Sequence, residues 1–357
     1  MIKNILLTLF SLALAIVVIE ALLRLEIFDN YRFPFVEIDY VFNEYDDKLG
    51  WKNTPNISFN FNEDEFSTQI KHNALGMRDR EIAAKPEKTR IAVLGDSFVW
   101  GFGVNVNERL TEIAAQDLAA DEVEILNFGV VGYGPIQYYL MLDQVLALKP
   151  KAVIVCLSLW NDFHDNVVWR RYRHYGPYAE VEQDTLKIQG YPLPNVSSQA
   201  HPKSPLEKFL RYHSRIYGVY KKIQWLNSPQ AGLVKFTYEA MYDPASEDRA
   251  KAIAVNHKLF QAMQQRCDAA GTKLILCIAP GKYEYAKAKE HFDPAAARTP
   301  ALKTAQLLNI PCIDPSAELS LDDFYVIDSH WNPKGHAKMG HALSLWIKNS
   351  ELSGKKP

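Results

Sequence analysis

The sequence predicts an α/β chain built on a doubly wound parallel sheet. Three observations carry that expectation. From Arg90 onward, short apolar runs of strand length alternate with segments of helical spacing. One of those runs, Ala152 to Leu157, is apolar throughout, as a strand covered on both faces must be. Apolar residues make up 48% and charged residues 23% of 357 positions, which is enough apolar surface to exclude disorder as the main state. Forty Lys and Arg against 42 Asp and Glu leave a net charge of −2. No excess of positive charge exists to displace counterions, so a nucleic-acid partner is not expected. The length suits one large α/β domain with insertions, or two small domains.

The first element is an apolar run from Ile5 to Leu23, preceded by Lys3, followed by Arg24 and interrupted only by Thr8, Ser11 and Glu20. As a helix it spans about 28 Å, close to the roughly 30 Å hydrocarbon core of a bilayer. Its length favours an uncleaved membrane anchor. A cleaved signal peptide is the alternative, with Ala13-Leu14-Ala15 as its exit, but the apolar run continues past that point. A buried helix of the soluble domain is the third reading, and it sits badly with a run apolar on every face. Lys3 and the amino terminus favour an inside N-terminus, which places the rest of the chain outside the cytoplasmic membrane. The expected organisation is an anchor over 1–28, an N-terminal extension over 29–88, and an α/β domain over 89–350 with an insertion at 163–245.

Within the extension, Phe66 to His72 alternates like a strand. Asn73 to Arg78 reads as the turn after it, with Gly76 free to adopt positive φ. The α/β rhythm then runs through a strand at Ile91 to Leu94, a helix over Glu108 to Ala120 and a strand at Val123 to Asn127. A helix over Pro135 to Leu148, with Pro in its first turn, and the strand Ala152 to Leu157 follow. After the insertion it resumes with a helix near Ser246 to Ala270, a strand Lys273 to Ile278 and a helix around Ala301 to Leu308. A strand at Cys312–Ile313 and a last helix from Pro333 to about Lys348 complete it. Cys156, Cys277 and Cys312 fall in expected strands and read as buried thiols, with no CxxC spacing.

Open α/β sheets bind ligands beyond the carboxyl ends of their strands, so the residues there are the informative ones. They are Gly95-Asp96-Ser97, then Asn127-Phe-Gly-Val-Val-Gly132, then Trp160-Asn161-Asp162, and near the C-terminus Asp328-Ser-His330-Trp331. Ser97 sits at a strand-to-helix turn, and its hydroxyl needs a base before it can act as a nucleophile. His330 is the candidate base, and Asp328 can orient its ring and stabilise the imidazolium. Attack on an acyl carbonyl creates an oxyanion. The backbone amides of Ser97 and Gly132 and the side-chain amide of Asn161 are the candidate donors to it, each worth about 3 kcal/mol of barrier. Asp96 and Asp162 are read as helix caps without a catalytic role. His164, His336 and His341 are read as packing or surface residues.

This ordered set resembles the SGNH, or GDSL, hydrolase superfamily over about residues 90 to 345, less the insertion. The resemblance implies a flavodoxin-like three-layer α/β/α sandwich, ester hydrolysis or acyl transfer, and neither a cofactor nor a metal. Two departures stand out. The usual Asp-x-x-His spacing is here Asp328-x-His330 followed by Trp331, which is similar to exopolysaccharide O-acetyltransferases and their relatives. Side chains at i and i+2 of an extended segment share a face, so the shorter spacing still permits an acid–base pair. The usual Gly before Asn-Asp is Trp160, which either walls the acyl site or fills core.

The insertion starts at the rim of the expected site. Arg170, Arg171, Tyr172, Arg173, His174 and Tyr175 can meet an anionic glycan or a lipid headgroup, or simply form a solvated face. Ser204 to Trp225 reads as an amphipathic helix, with Leu206, Phe209, Leu210, His213, Tyr217 and Tyr220 as a packing stripe. The function expected is a membrane-anchored serine esterase or acyltransferase acting on O-acyl, chiefly O-acetyl, groups of a surface or exported glycan. In the transfer version a membrane-bound partner supplies the acyl donor. A lipid-directed acylhydrolase and a non-catalytic glycan-binding subunit of an export complex are the competing readings.

Overall fold

A computed structural model describes residues 2–25, 42–63, 65–171, 174–195, 206, 210, 214–226, 246–285, 295–326 and 328–353. The chain divides into two compact units, Met1–Asp39 with Ala200–Lys235, and Tyr40–Gln199 with Phe236–Pro357.

The smaller unit holds α1 (Ile2–Leu22), none of whose residues is buried. At 1.5 Å per residue it is about 32 Å long, and it is long and apolar enough to cross a membrane. Its one carboxylate, Glu20, accepts from the amides of Arg215 (2.6 Å) and Ile216 (3.1 Å) and from the Ser214 hydroxyl (3.1 Å). These groups open a second helix, Arg215–Leu226, whose first amides have no partner within the helix itself. That helix, with Leu206, Leu210 and Ser214, is the described part of the amphipathic segment expected over 204–225. Residues 204, 205, 207–209 and 211–213 of it, Phe209 and His213 included, lie outside the described residues, as do Tyr172 and Arg173.

The larger unit begins with two antiparallel hairpins, β1 (Asn43–Asp46) with β2 (Gly50–Asn53), and β3 (Ser58–Asn62) with β4 (Ser67–Lys71). Alternation decides their faces, since Thr68 and Ile70 are buried while Ser67, Gln69 and Lys71 are exposed. The expected turn follows. Asn73 Oδ1 accepts from the amides of Leu75 and Met77, both at 2.9 Å, and Gly76 has φ +78°. A Cβ at Gly76 would lie 2.5 Å from the Asn53 carbonyl, so both the backbone angle and the space require glycine.

The sheet-bearing part continues with β5 (Thr89–Gly95), α2 (Ser97–Trp100), α3 (Leu110–Asp117), β6 (Val123–Gly129), α4 (Pro135–Leu146), β7 (Ala152–Ser158) and α5 (Asp162–Asp165). Two short hairpins occupy the described start of the insertion. They pair β8 (Arg170–Arg171) with β9 (His174–Tyr175), and β10 (Tyr178–Glu182) with β11 (Thr185–Gln189). Then come α6 (Glu247–Ala269), β12 (Lys273–Ala279), α7 (Ala295–Leu308), β13 (Cys312–Ile313) and α8 (Pro333–Lys348). The strands β6-β5-β7-β12-β13 form one parallel sheet in that spatial order. Counted along the sheet, this is the 2-1-3-4-5 order of flavodoxin-like folds, as the sequence resemblance implied.

Each central strand sends alternate side chains into two separate cores. Leu94, Phe128, Val155 and Ile278 pack with α4, α6 and α7 on one side. Val93, Ile125, Ile154 and Ile275 pack with α3 and α8 on the other. All seven residues of β7 are buried, which is why its sequence reads as an unbroken apolar run. Cys156 and Cys277 face one another in register on β7 and β12, and all four cysteines are free.

One boundary differs from expectation. α7 starts at Ala295 instead of Ala301, with Pro300 inside it. Proline removes the donor that would serve the carbonyl four residues back. That carbonyl, Ala296, is taken instead by the Arg249 guanidinium from α6 at 2.8 Å. A tertiary donor replaces the missing helical one, so the helix runs through its proline.

Candidate active site

The first strand of the sheet neighbours the third on one side and the second on the other, which makes the β5/β7 boundary the point where connections diverge to the two faces. Ser97 follows β5, Gly132 follows β6 and Asn161 follows β7. Three candidate residues therefore gather at the carboxyl ends of adjacent strands.

Ser97 opens α2, a single turn. Asp96 caps it by accepting from the Phe98 amide at 2.9 Å, and Gly101 ends it at φ +87°. The turn is tight because Gly95 and Gly129 lack side chains. A Cβ on Gly129 would sit 2.1 Å from the Trp100 nitrogen, and one on Gly95 would sit 2.3 Å from Val99 Cγ2. Ser97 is buried, with 8% of its surface exposed.

The loop between β13 and α8 brings the other partners. His330 Nε2 lies 2.7 Å from Ser97 Oγ, and its Nδ1 lies 2.5 Å from Asp328 Oδ1. The same Oδ1 accepts the His330 backbone amide at 2.7 Å, so the i, i+2 spacing closes a compact ring. Two aromatic rings pack on the imidazole. Phe102 stacks on it with centroids 4.4 Å apart and planes at 27°, and Phe98 lies 5.1 Å away. Trp331 is fully buried and donates to the Pro280 carbonyl at 3.1 Å, which ties the segment to the end of β12. Asn332 then caps α8 through the amides of Lys334 and Gly335.

The electrostatics suit a base. Burial works against a charged His330, but the Asp328 carboxylate, its hydrogen bond and the more distant Asp96 outweigh it and raise the imidazole above its ordinary value. Burial likewise opposes charge on Asp328, yet His330 and Lys282 hold that carboxyl below the usual range. Asp96, fully desolvated, is pushed up to about 6.

Gly132 has φ +75° in the loop after β6 and is buried. Among the described residues neither its amide nor that of Ser97 donates a hydrogen bond, so both remain available to an oxyanion. Asn161 is placed less simply. Its Oδ1 accepts from the Ser158 hydroxyl at 2.8 Å, and its Nδ2 donates to Asp165 at 2.9 Å and lies 3.4 Å from Asp162. One N–H is thus committed and the other makes only a long contact, weak enough to yield to a better acceptor. Asp162 does not cap a helix as expected. It lies inside α5 and accepts the Ser158 amide at 2.9 Å, closing the turn out of β7.

The histidines outside this set fall where packing puts them. His336 is buried, accepts from the Leu110 amide at 3.3 Å, and is pushed down to about 3 by burial and by nearby Arg78, His330 and Arg109. His341 pairs with Asp117 at 2.7 Å, and His164 is buried beside Asp165 at 3.6 Å. Trp160 adjoins Gly281 at the end of β12, where a Cβ would touch its own at 3.5 Å. Sequence reasoning missed Glu65, Phe102 and Lys282 around the site, because each reaches it by tertiary contact; it also missed Asp165, four positions after Asn161, where the helical spacing was the available signal.

No family model and no curated protein matches the chain. Among solved structures it is similar to an acetyl xylan esterase, AlAXEase, at 14% identity and TM-score 0.39, covering 72% of this chain and 98% of that one. It is similar to the inhibitor-bound M. smegmatis aryl esterase at 14% identity and TM-score 0.40, covering 73% and 99%. It is also similar to a GDSL-like lipase from Bacteroides thetaiotaomicron VPI-5482 at 10% identity and TM-score 0.38, covering 73% and 88%. Likeness at that level carries no argument about chemistry, which rests on the strand order and the geometry around Ser97.

Proposed function

We propose that the chain is a serine esterase or acyl-transferring enzyme working through an acyl-Ser97 intermediate. The observation that carries this reading is the unbroken relay from Ser97 Oγ through His330 to Asp328, at 2.7 and 2.5 Å. Ser97 Oγ attacks the ester carbonyl while its proton passes to His330 Nε2. The amides of Ser97 and Gly132, with the second N–H of Asn161, receive the oxyanion. Collapse breaks the ester C–O bond, and the imidazolium returns its proton to the departing alcohol. Water, or a sugar hydroxyl in the transfer version, then resolves the acyl-serine by the reverse path.

The substrate class follows from two supports. The Asp-x-His-Trp block resembles that of polysaccharide O-acetyltransferase relatives, and α1 is long and apolar enough to tether the chain at a membrane; the extracytoplasmic side is part of the proposal. We therefore place the acyl group, chiefly acetyl, on a surface or exported glycan, with a membrane-bound donor partner if the reaction is transfer.

The test uses the full chain in detergent. A fluorophosphonate is expected to label it at Ser97, and Ser97→Ala to abolish both labelling and p-nitrophenyl acetate hydrolysis. A chain that takes no label sinks the enzymatic reading and leaves the glycan-binding subunit. Rates that rise with acyl length across p-nitrophenyl esters move the assignment to lipid esters. A glycan acceptor that leaves the product distribution unchanged rules out transfer to that acceptor.

A further inference from the structure

The loop 324–331 carries both Asp328 and His330, and it is tied at its base. Phe324 pairs with Trp331, Asn332 donates to the carbonyls of Asp322 and Phe324, and the Tyr325 amide donates to the His330 carbonyl at 3.1 Å. Among the described residues its tip shows no such pairing within the loop backbone, and Val326 is 70% exposed. Two side chains from distant elements grip that tip. Glu65, from the turn between β3 and β4, accepts the Val326 amide on Oε1 and the Asp328 amide on Oε2, both at 2.7 Å. Lys282, just past β12, donates to the carbonyls of Tyr325 (2.7 Å) and Val326 (2.6 Å). Four backbone groups within Tyr325–Asp328 are thereby held by one carboxylate and one ammonium. The next residue, Phe66, packs on Tyr325 (5.3 Å) and on Phe102 (5.5 Å), the ring that stacks on His330.

The β3–β4 hairpin has a closure of its own. It closes through its ladder and through the Glu63 amide donating to the Phe66 carbonyl at 2.9 Å. The Glu65 carboxylate is spent on the loop instead. Charge-assisted bonds to two amides fix the peptide planes that carry the Val326 and Asp328 N–H groups, the second of which leads directly into Asp328, and so restrain where its Cβ points. We infer that Glu65 is a positioning residue for the acid–base pair, a two-pronged clamp that holds Asp328 Oδ1 in line with His330 Nδ1. The inference rests on the reading of Ser97, His330 and Asp328 as the reacting set.

Glu65→Gln keeps the shape and one acceptor but turns an N–H toward the other amide. In the full chain it is expected to lower kcat for p-nitrophenyl acetate roughly 10- to 100-fold with KM little changed, because a displaced acid costs orientation and not binding. The charged groups facing His330 are Asp328 on its own loop and Asp96 at the cap of α2, and Lys282 faces Asp328. With Asp328 adrift, the acid limb of kcat/KM is expected to move to lower pH. Ser67→Ala, at the neighbouring hairpin position, is expected to leave rate and limb unchanged.

Wild-type kcat and an unmoved limb in Glu65→Gln overturn the proposal. So does a loss of rate that matches a loss of fluorophosphonate-titratable sites, since that is a folding effect. If the wild type neither labels nor turns over, the esterase reading has failed, and the clamp is still decided by the proton spectrum. A low-field imidazole proton shared between His330 and Asp328, present in the wild type and unchanged in Glu65→Gln, refutes the clamp. Its loss or upfield shift in the variant supports it.

Discussion

At the residue scale, the behaviour of His330 is set by what its two ring nitrogens touch. Asp328 accepts from Nδ1, which leaves Nε2 as the acceptor for the Ser97 proton. Asp328→Asn replaces the carboxylate with an amide that can hold the opposite tautomer. It is expected to lower kcat on the order of 10³- to 10⁴-fold, read from ester hydrolysis at saturating substrate. The base must be neutral to act, and His330 titrates above the ordinary histidine value. The acid limb of the wild-type pH–rate profile is therefore expected above about 6.5, and in Asp328→Asn below the wild-type position. A wild-type limb at or below that value would contradict the electrostatics. The candidate site residues could be picked out of the sequence because parallel strands buried on both faces announce themselves, and Ser97, Gly132 and Asn161 each lie within three positions of the end of one. Glu65 was not legible: 263 positions separate it from the amide of Asp328, and no local pattern links them.

At the scale of elements, two contacts decide how helices sit. α8 packs on α3 across Gly340, where a Cβ would meet Ile113 at 2.7 Å and the Leu110 carbonyl at 2.8 Å. Gly340→Ala forces the helices apart and is expected to cost about 1–3 kcal/mol of stability, measured by denaturant unfolding. Arg249 is the donor that lets α7 run through Pro300. Arg249→Met keeps the stem and removes the hydrogen bond, and it is expected to cost about 1 kcal/mol by the same measurement. An unchanged midpoint would mean that solvent serves the Ala296 carbonyl equally well. That helix start was unreadable from sequence for the same reason, since proline argues locally for a boundary and only Arg249, 47 positions before the Ala296 carbonyl it serves, argues against it.

At the scale of the molecule, stability and activity pull toward different pH. Asp328, titrating below its ordinary value, contributes stability that is fully present above about 3.9 and lost as pH falls through the depressed value. His330, titrating above its ordinary value, contributes stability that is fully present below about 6.5 and lost as pH rises through the raised value. The melting-temperature gap between wild type and Asp328→Asn is thus expected to be widest between those limits, whereas turnover grows above them. A gap that keeps widening above pH 8 would reverse the sign argued here. The larger organisation was legible in part. Alternation and strand-end residues led to the sheet and its site, while the hairpins of the extension, rich in Asn and Phe, showed little periodicity beyond Phe66 to His72. For α1, alkaline carbonate washing is expected to leave the chain in the membrane fraction, with an intact N-terminus by mass. Release of a shortened chain would favour a cleaved leader.

The hydroxyl of Ser97 and the imidazole hydrogen-bonded to it are 233 residues apart. At a synthesis rate of about 5–20 residues per second, roughly 10 to 50 s pass between the appearance of one and of the other. Through that interval the nascent polypeptide bears a serine with nothing to deprotonate it. On the proposed mechanism, chemistry is thereby deferred until His330 has been made, and fragments that stop short of it are expected to be inert.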